Sequence, residues 1–309
     1  MAYPLPPDVK LPFSGHETFP LRQLWLSKIA QYIKKAHTQG KKPAFKGDEA
    51  MIELGVGKNM VASMRYWAEA SGMIAPDGLA LTELGKLIFG FGKRKGLDED
   101  CASMTTQWLV HWRLAATPER FPPAFYLFNL VTSPTLDRER FLTGLIEFAQ
   151  DTGSKTTAAS IKRALDVCLR SYLPRMSGKG HAEDLIEPLL GELDLLEARS
   201  REAFAFHRGR HPTLPDALFV FALMEYWERL PYQTSSLDFT RIAHDYGSPG
   251  KVFKLDADAL NARLANLAEL TNEDLVWTEQ AGLRQVIRRG LASSDPEQFK
   301  IKLLKEAYA

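Results

Sequence analysis

Lys58, Asn59, Ser63, Arg65 and Tyr66 stand within nine positions, directly after Gly55-Val56-Gly57. Lysine and arginine neutralise phosphates, while asparagine and arginine read base edges. The chemistry of this set is recognition of nucleic acid, with no bond made or broken. The preceding segment leans the same way. Residues 18–47 hold seven cations (Arg22, Lys28, Lys34, Lys35, Lys41, Lys42 and Lys46) and no acidic residue. Lys34, Lys35, Lys41, Lys42 and Lys46 are the candidates for the phosphate backbone. The alternative is a solvated face on a module that packs against protein.

Other constellations carry less. Gly55-Val56-Gly57-Lys58-Asn59 resembles a phosphate loop, but asparagine follows the lysine and a helix precedes the glycines, so nucleotide hydrolysis is not expected. His16-Glu17 suggests a general-base pair, yet neighbours on an extended segment point to opposite faces. The leading reading is structural, with Glu17 or Thr18 capping the next helix and His16 hydrogen-bonded in a turn; a partner or DNA-backbone contact through Ser14, His16 and Arg22 is the further option. His207 and His211 are four apart, but Gly209 between them and Pro212 after them disfavour a helical zinc site. Arg208 and Arg210 suit an anion instead. His111, on an apolar helix, reads as a core histidine. The basic turn at residues 90–96 and the loop at 174–181, with Arg175 and Lys179, read as surface loops. No set of carboxylates, nucleophile with base, or metal ligands is clustered. No catalytic residue, metal or cofactor is expected, and the chain is read as a non-enzyme.

These residues need elements to hold them. Residues 45–91 read as helix, tight turn, helix and a small β-wing. Asp48 is the expected N-cap of the first helix, and Gly55 supplies the turn. Met60, Val61, Met64, Trp67 and Ala68 make one buried stripe on the second helix. Lys58, Asn59, Ala62, Ser63, Arg65 and Tyr66 are left on its other faces. Asp77-Gly78 is a hairpin turn between residues 73–74 and 79–81. That order is the winged-helix pattern, which places its second helix in a DNA major groove. A helix from residue 21 to 36 precedes it. Helices follow at 101–115, 121–129, 138–151 and 154–173, with a hairpin at 195–206, an all-round apolar helix at 214–230, helical segments from 235 to 270, and a hairpin at 275–287 about residues 280–282. Lys251, Lys254, Arg284, Arg288 and Arg289 would give this last part a basic edge. The expected fold is mainly α with small β-hairpins in several winged-helix-like units. The expected divisions are residues 1–98, 99–234 and 235–309, and residues 1–12, with four prolines, form an extended arm.

Composition sets the outer limits. Across 309 residues, 45% are hydrophobic and 25% charged, the balance of an ordinary soluble protein. The net charge is only +1, so a nucleic-acid surface must be local. Cys101 and Cys168 are isolated, which fits a reducing cytoplasm. No apolar run reaches the roughly 18 residues of a membrane span.

Residues 13–22 (FSGHETFPLR), 53–61 (ELGVGKNMV), Arg65-Tyr66-Trp67 and 247–256 (GSPGKVFKLD) resemble a bacterial family known as domain of unknown function 4007. The likeness runs from about residue 11 to about residue 287. It implies a setting: genes of phage defence and DNA phosphorothioation, often beside a phosphoadenosine-phosphosulfate-reductase-like protein. It brings no established catalytic residues. The expected function is a non-catalytic DNA-binding component of such a system, with DNA as partner and a homodimer as its oligomeric form. The alternative is an adaptor that scaffolds the reductase-like enzyme without touching DNA.

Overall fold

Apolar periodicity becomes helix along most of the chain, and the places where it does not are set by distant contacts. The structure, a computed structural model, describes residues 11–173, 188–232, 234–280 and 282–309. The expected N-terminal arm up to residue 10, the 174–187 stretch with Arg175 and Lys179, and Ala281 in the last turn lie outside the described residues.

The first three helices are α1 (Trp25–Thr38), α2 (Asp48–Leu54) and α3 (Lys58–Ala70). Helix α1 starts later than its periodicity predicts. Leu21 and Arg22 are drawn into backbone pairing instead, Arg22 bridging Pro188 and Leu189 N–H donating to Leu21 O at 3.1 Å. Glu17 and Thr18 cap nothing here, because the N-cap is Leu24 in left-handed backbone with no side-chain bond. Asp48 is the first helical residue of α2, and Gly47 takes the cap. Gly55 ends α2 at φ +67, the left-handed turn that glycine accepts. The expected wing is a turn: Ile74 and Leu81 form one isolated bridge, closed by Ala75 N–H on Ala80 O at 2.9 Å. Thr82 then caps α4 (Glu83–Phe89), accepting from Gly85 N–H.

The middle of the chain supplies α5 (Met104–Ala115), α6 (Pro122–Phe125) running into a π-helical turn (Tyr126–Leu130), α7 (Arg138–Asp151), α8 (Ala158–Tyr172) and α9 (Asp216–Glu228). Every residue from Ala217 to Met224 is buried, as are Tyr226 and Trp227, so α9 is sheathed on all sides. The hairpin of β2 (Leu196–Ala198) and β3 (Ala203–Phe206) gains a third strand, β1 (Thr135–Asp137), in the order β1-β3-β2. Three residues between two helices are too short to announce a strand, and β1 exists because Leu136 finds Phe204. His111 is a core histidine as expected: its Nδ1 bonds the Tyr172 hydroxyl at 2.9 Å and its Nε2 meets Val252 O at 2.8 Å.

The last part holds β4 (Ser236–Asp238), α10 (Phe239–His244), α11 (Pro249–Val252), α12 (Ala257–Ala265), α13 (Leu267–Thr271), β5 (Leu275–Gln280), β6 (Leu283–Arg288), α14 (Gly290–Ser294) and α15 (Pro296–Ala307). Asp256 caps α12 by accepting from Ala259 N–H. The hairpin forms, and β4 adds to it in the order β4-β6-β5, with Leu237 opposite Val286. Helix α15 packs along α9. One hydrophobic core runs through all these parts, from Leu11 to Leu304. Among the described residues, the architecture is mainly helical with two small antiparallel three-stranded sheets. Among the described residues, no helix is long and apolar enough to cross a membrane.

Candidate nucleic-acid interface

Helix α3 is held on one side and free on the other. Met60, Val61, Met64, Trp67 and Ala68 bury its inner stripe as the periodicity predicts. Trp67 is fully enclosed, 5.0 Å from the Phe121 ring, with its indole N–H donating to Phe19 O. The loop between α1 and α2 is tied back by Tyr32, whose hydroxyl donates to Ala44 O at 2.8 Å. Lys58 and Asn59 stand exposed on the first turn of α3, where no acidic residue competes. Lys41, Lys42 and Lys46 are exposed on the adjoining loop, and among the described residues no carboxylate pairs with them or with Lys58.

The remaining candidates are spent on the fold. Ser63 is fully buried, and its hydroxyl donates to His16 O at 2.8 Å. Tyr66 turns inward against His16 and Trp67, and burial pushes its phenol up. Neither is on an outer face, because residues 13–20 lie across this side of α3. Gly15 makes that possible: it sits at φ +105, and a Cβ there would come within 2.7 Å of the Tyr66 ring. Arg65 is half exposed but occupied by Glu69 at 2.7 Å, by Asp77 O at 3.1 Å, and by the Phe45 face at 5.4 Å. Lys34 donates to Phe89 O at 2.7 Å and pairs with Glu99 at 3.3 Å; Lys35 pairs with Glu53 at 2.6 Å. Arg22 is buried over Phe19 and Trp25. His16 is buried, its Nδ1 accepting from Thr18 N–H, and desolvation lowers its pKa to about 4. Of Ser14, His16 and Arg22, Ser14 alone is exposed.

The two histidines of 207–211 do not meet on one ligand. His207 bonds Asp194 O and Glu197, and the Glu197 bond raises its pKa. His211 lies 5.3 Å from Trp108, and burial lowers its pKa. No group of three or more His, Cys, Asp or Glu residues able to hold a metal occurs among the described residues. Arg208 is exposed and donates to Thr132 O; Arg210 is exposed, and its carbonyl accepts from Arg263. Arg263, nearly buried, gathers this loop through Arg210 O, His211 O and Leu214 O while pairing with Asp216.

The structure adds a groove that the sequence reading missed. A cavity of about 1350 Å³ lies between the 90–97 turn and α15, with Lys93, Arg94, Lys95 and Lys305 on its walls and Phe221 and Leu304 inside. The turn is pinned by reciprocal bonds between Phe91 and Arg94. Lys300, also in the wall, is neutralised by Glu228 and Glu297. Helix α15 lies beyond the elements expected from the sequence, although its start carries the signals of Asp295 and Pro296; its nearness to residue 94 is a tertiary fact.

The family model described as "Protein of unknown function (DUF4007)" matches residues 13–308. The chain belongs to the DUF4007 family. The match reaches past residue 287 and takes in α15 as well as the 13–20 segment. Two crystal structures are similar over nearly all of the chain. Magnesium ion-bound SspB superposes with a TM-score of 0.80 at 26% identity, covering 96% of this chain and 87% of that one. A second SspB structure gives 0.78 at 25% identity, covering 95% and 87%. No curated protein matches the chain.

Proposed function

We propose that this DUF4007 chain is a non-catalytic DNA-binding component of a bacterial defence or DNA-modification system of the phosphorothioation type, with α3 and the 75–80 turn acting as a reduced winged helix. The observation that carries the reading is the exposed face of Lys41, Lys42, Lys46 and Lys58, with Asn59 beside them, around the start of α3, where no carboxylate pairs with these lysines among the described residues. Lys58 and Asn59 would enter the groove and the three loop lysines would lie along the backbone. The likeness to SspB and the family resemblance support the setting.

The test is a salt titration of duplex binding with unmodified and phosphorothioate-modified DNA. Binding that weakens steeply with salt supports the reading, and the slope counts phosphates. Because one similar structure is magnesium ion-bound SspB, the titration is run with and without Mg²⁺ while strand integrity is followed. Nicking in Mg²⁺ would overturn the non-catalytic part, since a bound cation can activate water at a phosphodiester.

The adaptor reading has one observation in its favour: Ile52 on α2 is 80% exposed beside this face. Under it, α2 docks a protein such as the reductase-like neighbour, or a second copy. Partner retention without DNA retention, lost in Ile52→Glu, would favour it.

A further inference from the structure

The segment after Gly247 takes no part in the reading above, and it carries an unusual lysine. Lys254 is 4% exposed. Its backbone is left-handed at φ 51, uncommon for a residue with a side chain. Its ammonium nitrogen lies 4.1 Å from the Phe206 ring centre and 5.7 Å from that of Phe128. Its hydrogen bonds are two long ones, at 3.5 Å, to Leu127 O and Val131 O. Lys251 donates to Asn129 O at 2.6 Å, and Arg208 to Thr132 O at 3.2 Å. The carbonyls of residues 127–132 thus gather three cations at one place.

Few negative charges offset them. Burial holds the Lys254 amine well below the usual lysine range, and the like charges of Arg208 and Lys251 add to the effect. Burial also lowers the Lys251 pKa, with Arg208 adding to the shift and Asp245 opposing it. The three cations line a cavity of about 290 Å³ whose apolar wall includes Phe128, Phe239 and Leu260. Asp256 and His244 are also in the wall. One Asp256 oxygen is committed to Ala259 N–H at 2.8 Å. Burying like charges together is unfavourable unless an anion completes the site.

We propose that this cavity binds the phosphate monoester of a single nucleotide through Lys254, Lys251 and Arg208. Lysines act as point charges toward phosphate, while arginine adds a planar fork. The apolar wall faces the sugar or base. The volume is at the lower end of small-molecule pockets, roughly 300–1000 Å³. That admits one nucleotide, either free or at the end of a strand, and excludes a duplex. The cavity is separate from the α3 face and does not depend on the DNA reading.

The experiment measures the thermal midpoint of the full chain against inorganic phosphate, AMP, adenosine, and a dinucleotide with and without a 5′-phosphate. The phosphate-bearing probes should raise the midpoint, and adenosine and the unphosphorylated dinucleotide should not. Lys254→Met, which keeps the apolar stem, should weaken the response by about tenfold or more. Arg208→Gln, at an exposed position, should weaken it without touching the core. AMP acting as strongly as the phosphorylated dinucleotide supports a free nucleotide; a response to the dinucleotide alone supports a strand end. If no phosphate-bearing probe moves the wild-type midpoint, or K254M and R208Q respond as wild type does, the lysines serve only the carbonyls of residues 127–131 and the proposal is wrong. K58E should keep the AMP response, and K254M should keep duplex binding, so the two readings fail separately.

Discussion

The first and last parts of the chain share one order of elements, helix, turn, helix and hairpin, and the fold treats them differently. At the N-terminal end the hairpin is reduced to the Ile74–Leu81 bridge, while Lys41, Lys42, Lys46 and Lys58 stay in solvent. At the C-terminal end the hairpin extends into a three-stranded sheet, where Lys254 is buried, Lys251 and Arg288 are half-buried, and Arg284 and Arg289 stay exposed. Arg284 lies 4.0 Å from the Phe239 ring and pairs with Glu279; Arg288 lies 5.2 Å from Trp227; Lys254 is buried. The expected basic edge is therefore dispersed by packing. Element order does not fix where charge ends up. A cation with apolar surface within reach of its stem lies down on it, and one on a loop with none stays outside.

The sharpest way to test this contrast is through one tryptophan in each part. Trp67→Ala should destabilise the chain by about 3–5 kcal/mol, because an enclosed indole is lost. Trp277→Ala, at a half-buried strand position, should cost clearly less in the same urea titration. If the two costs are equal, the N-terminal part is not the more deeply anchored one.

Charge gives the next effect. Lys42→Glu, Lys46→Glu and Lys58→Glu together should weaken duplex binding about 100-fold at low salt and flatten the log–log salt dependence by roughly two to three. Arg284→Glu and Arg288→Glu should leave both within about twofold. Equal losses from the two sets would erase the distinction between the ends.

Acid separates them again. His16 under the N-terminal strap and His111 on Val252 have pKa values lowered to about 4 and about 3, both by burial. A histidine that folding keeps neutral binds fewer protons in the native state. The stability it confers is complete above the unfolded value of about 6.5 and is lost as pH falls from there toward about 4 and 3 respectively. Each should add ~1.4 kcal/mol per pH unit to the slope within its window. His16→Gln should remove one proton's worth of slope above pH about 4, and His111→Gln one that persists to about 3, as read from denaturation midpoints across pH.

The smallest effects are at helix caps. Thr82→Ala and Asp256→Ala each remove a bond to a free N–H, at 3.0 Å and 2.8 Å, and should cost about 1 kcal/mol. Thr82 should cost more, because its hydroxyl also donates to Gly72 O. Equal melting shifts would mean that this second bond adds nothing.

Much of this was legible in the chain. The α3 stripe, the Gly55 turn, the all-round burial of α9, the Asp256 cap and the satisfied state of His111 follow from spacing and residue type, which act within a few residues. Of the candidate interface, Lys58, Asn59, Lys41, Lys42 and Lys46 are where the pattern put them. Ser63, Tyr66 and Arg22 are not. Helical spacing places a residue on a face, but it does not say that residues 13–20 will cover that face.

The sequence by itself determined most of the helices, the two hairpin turns and the concentration of cations ahead of α3, because backbone hydrogen bonds and apolar periodicity are local; the caps at Asp48 and at Glu17 or Thr18 were not among them. The tertiary structure decided which cations keep water. It paired Lys34 and Lys35, buried Arg22 and Lys254, brought residue 94 against α15, and added β1 and β4 to strands far along the chain. Those outcomes depend on which surfaces meet beyond the reach of a single helix or turn, and desolvation acts on side chains only after they have met.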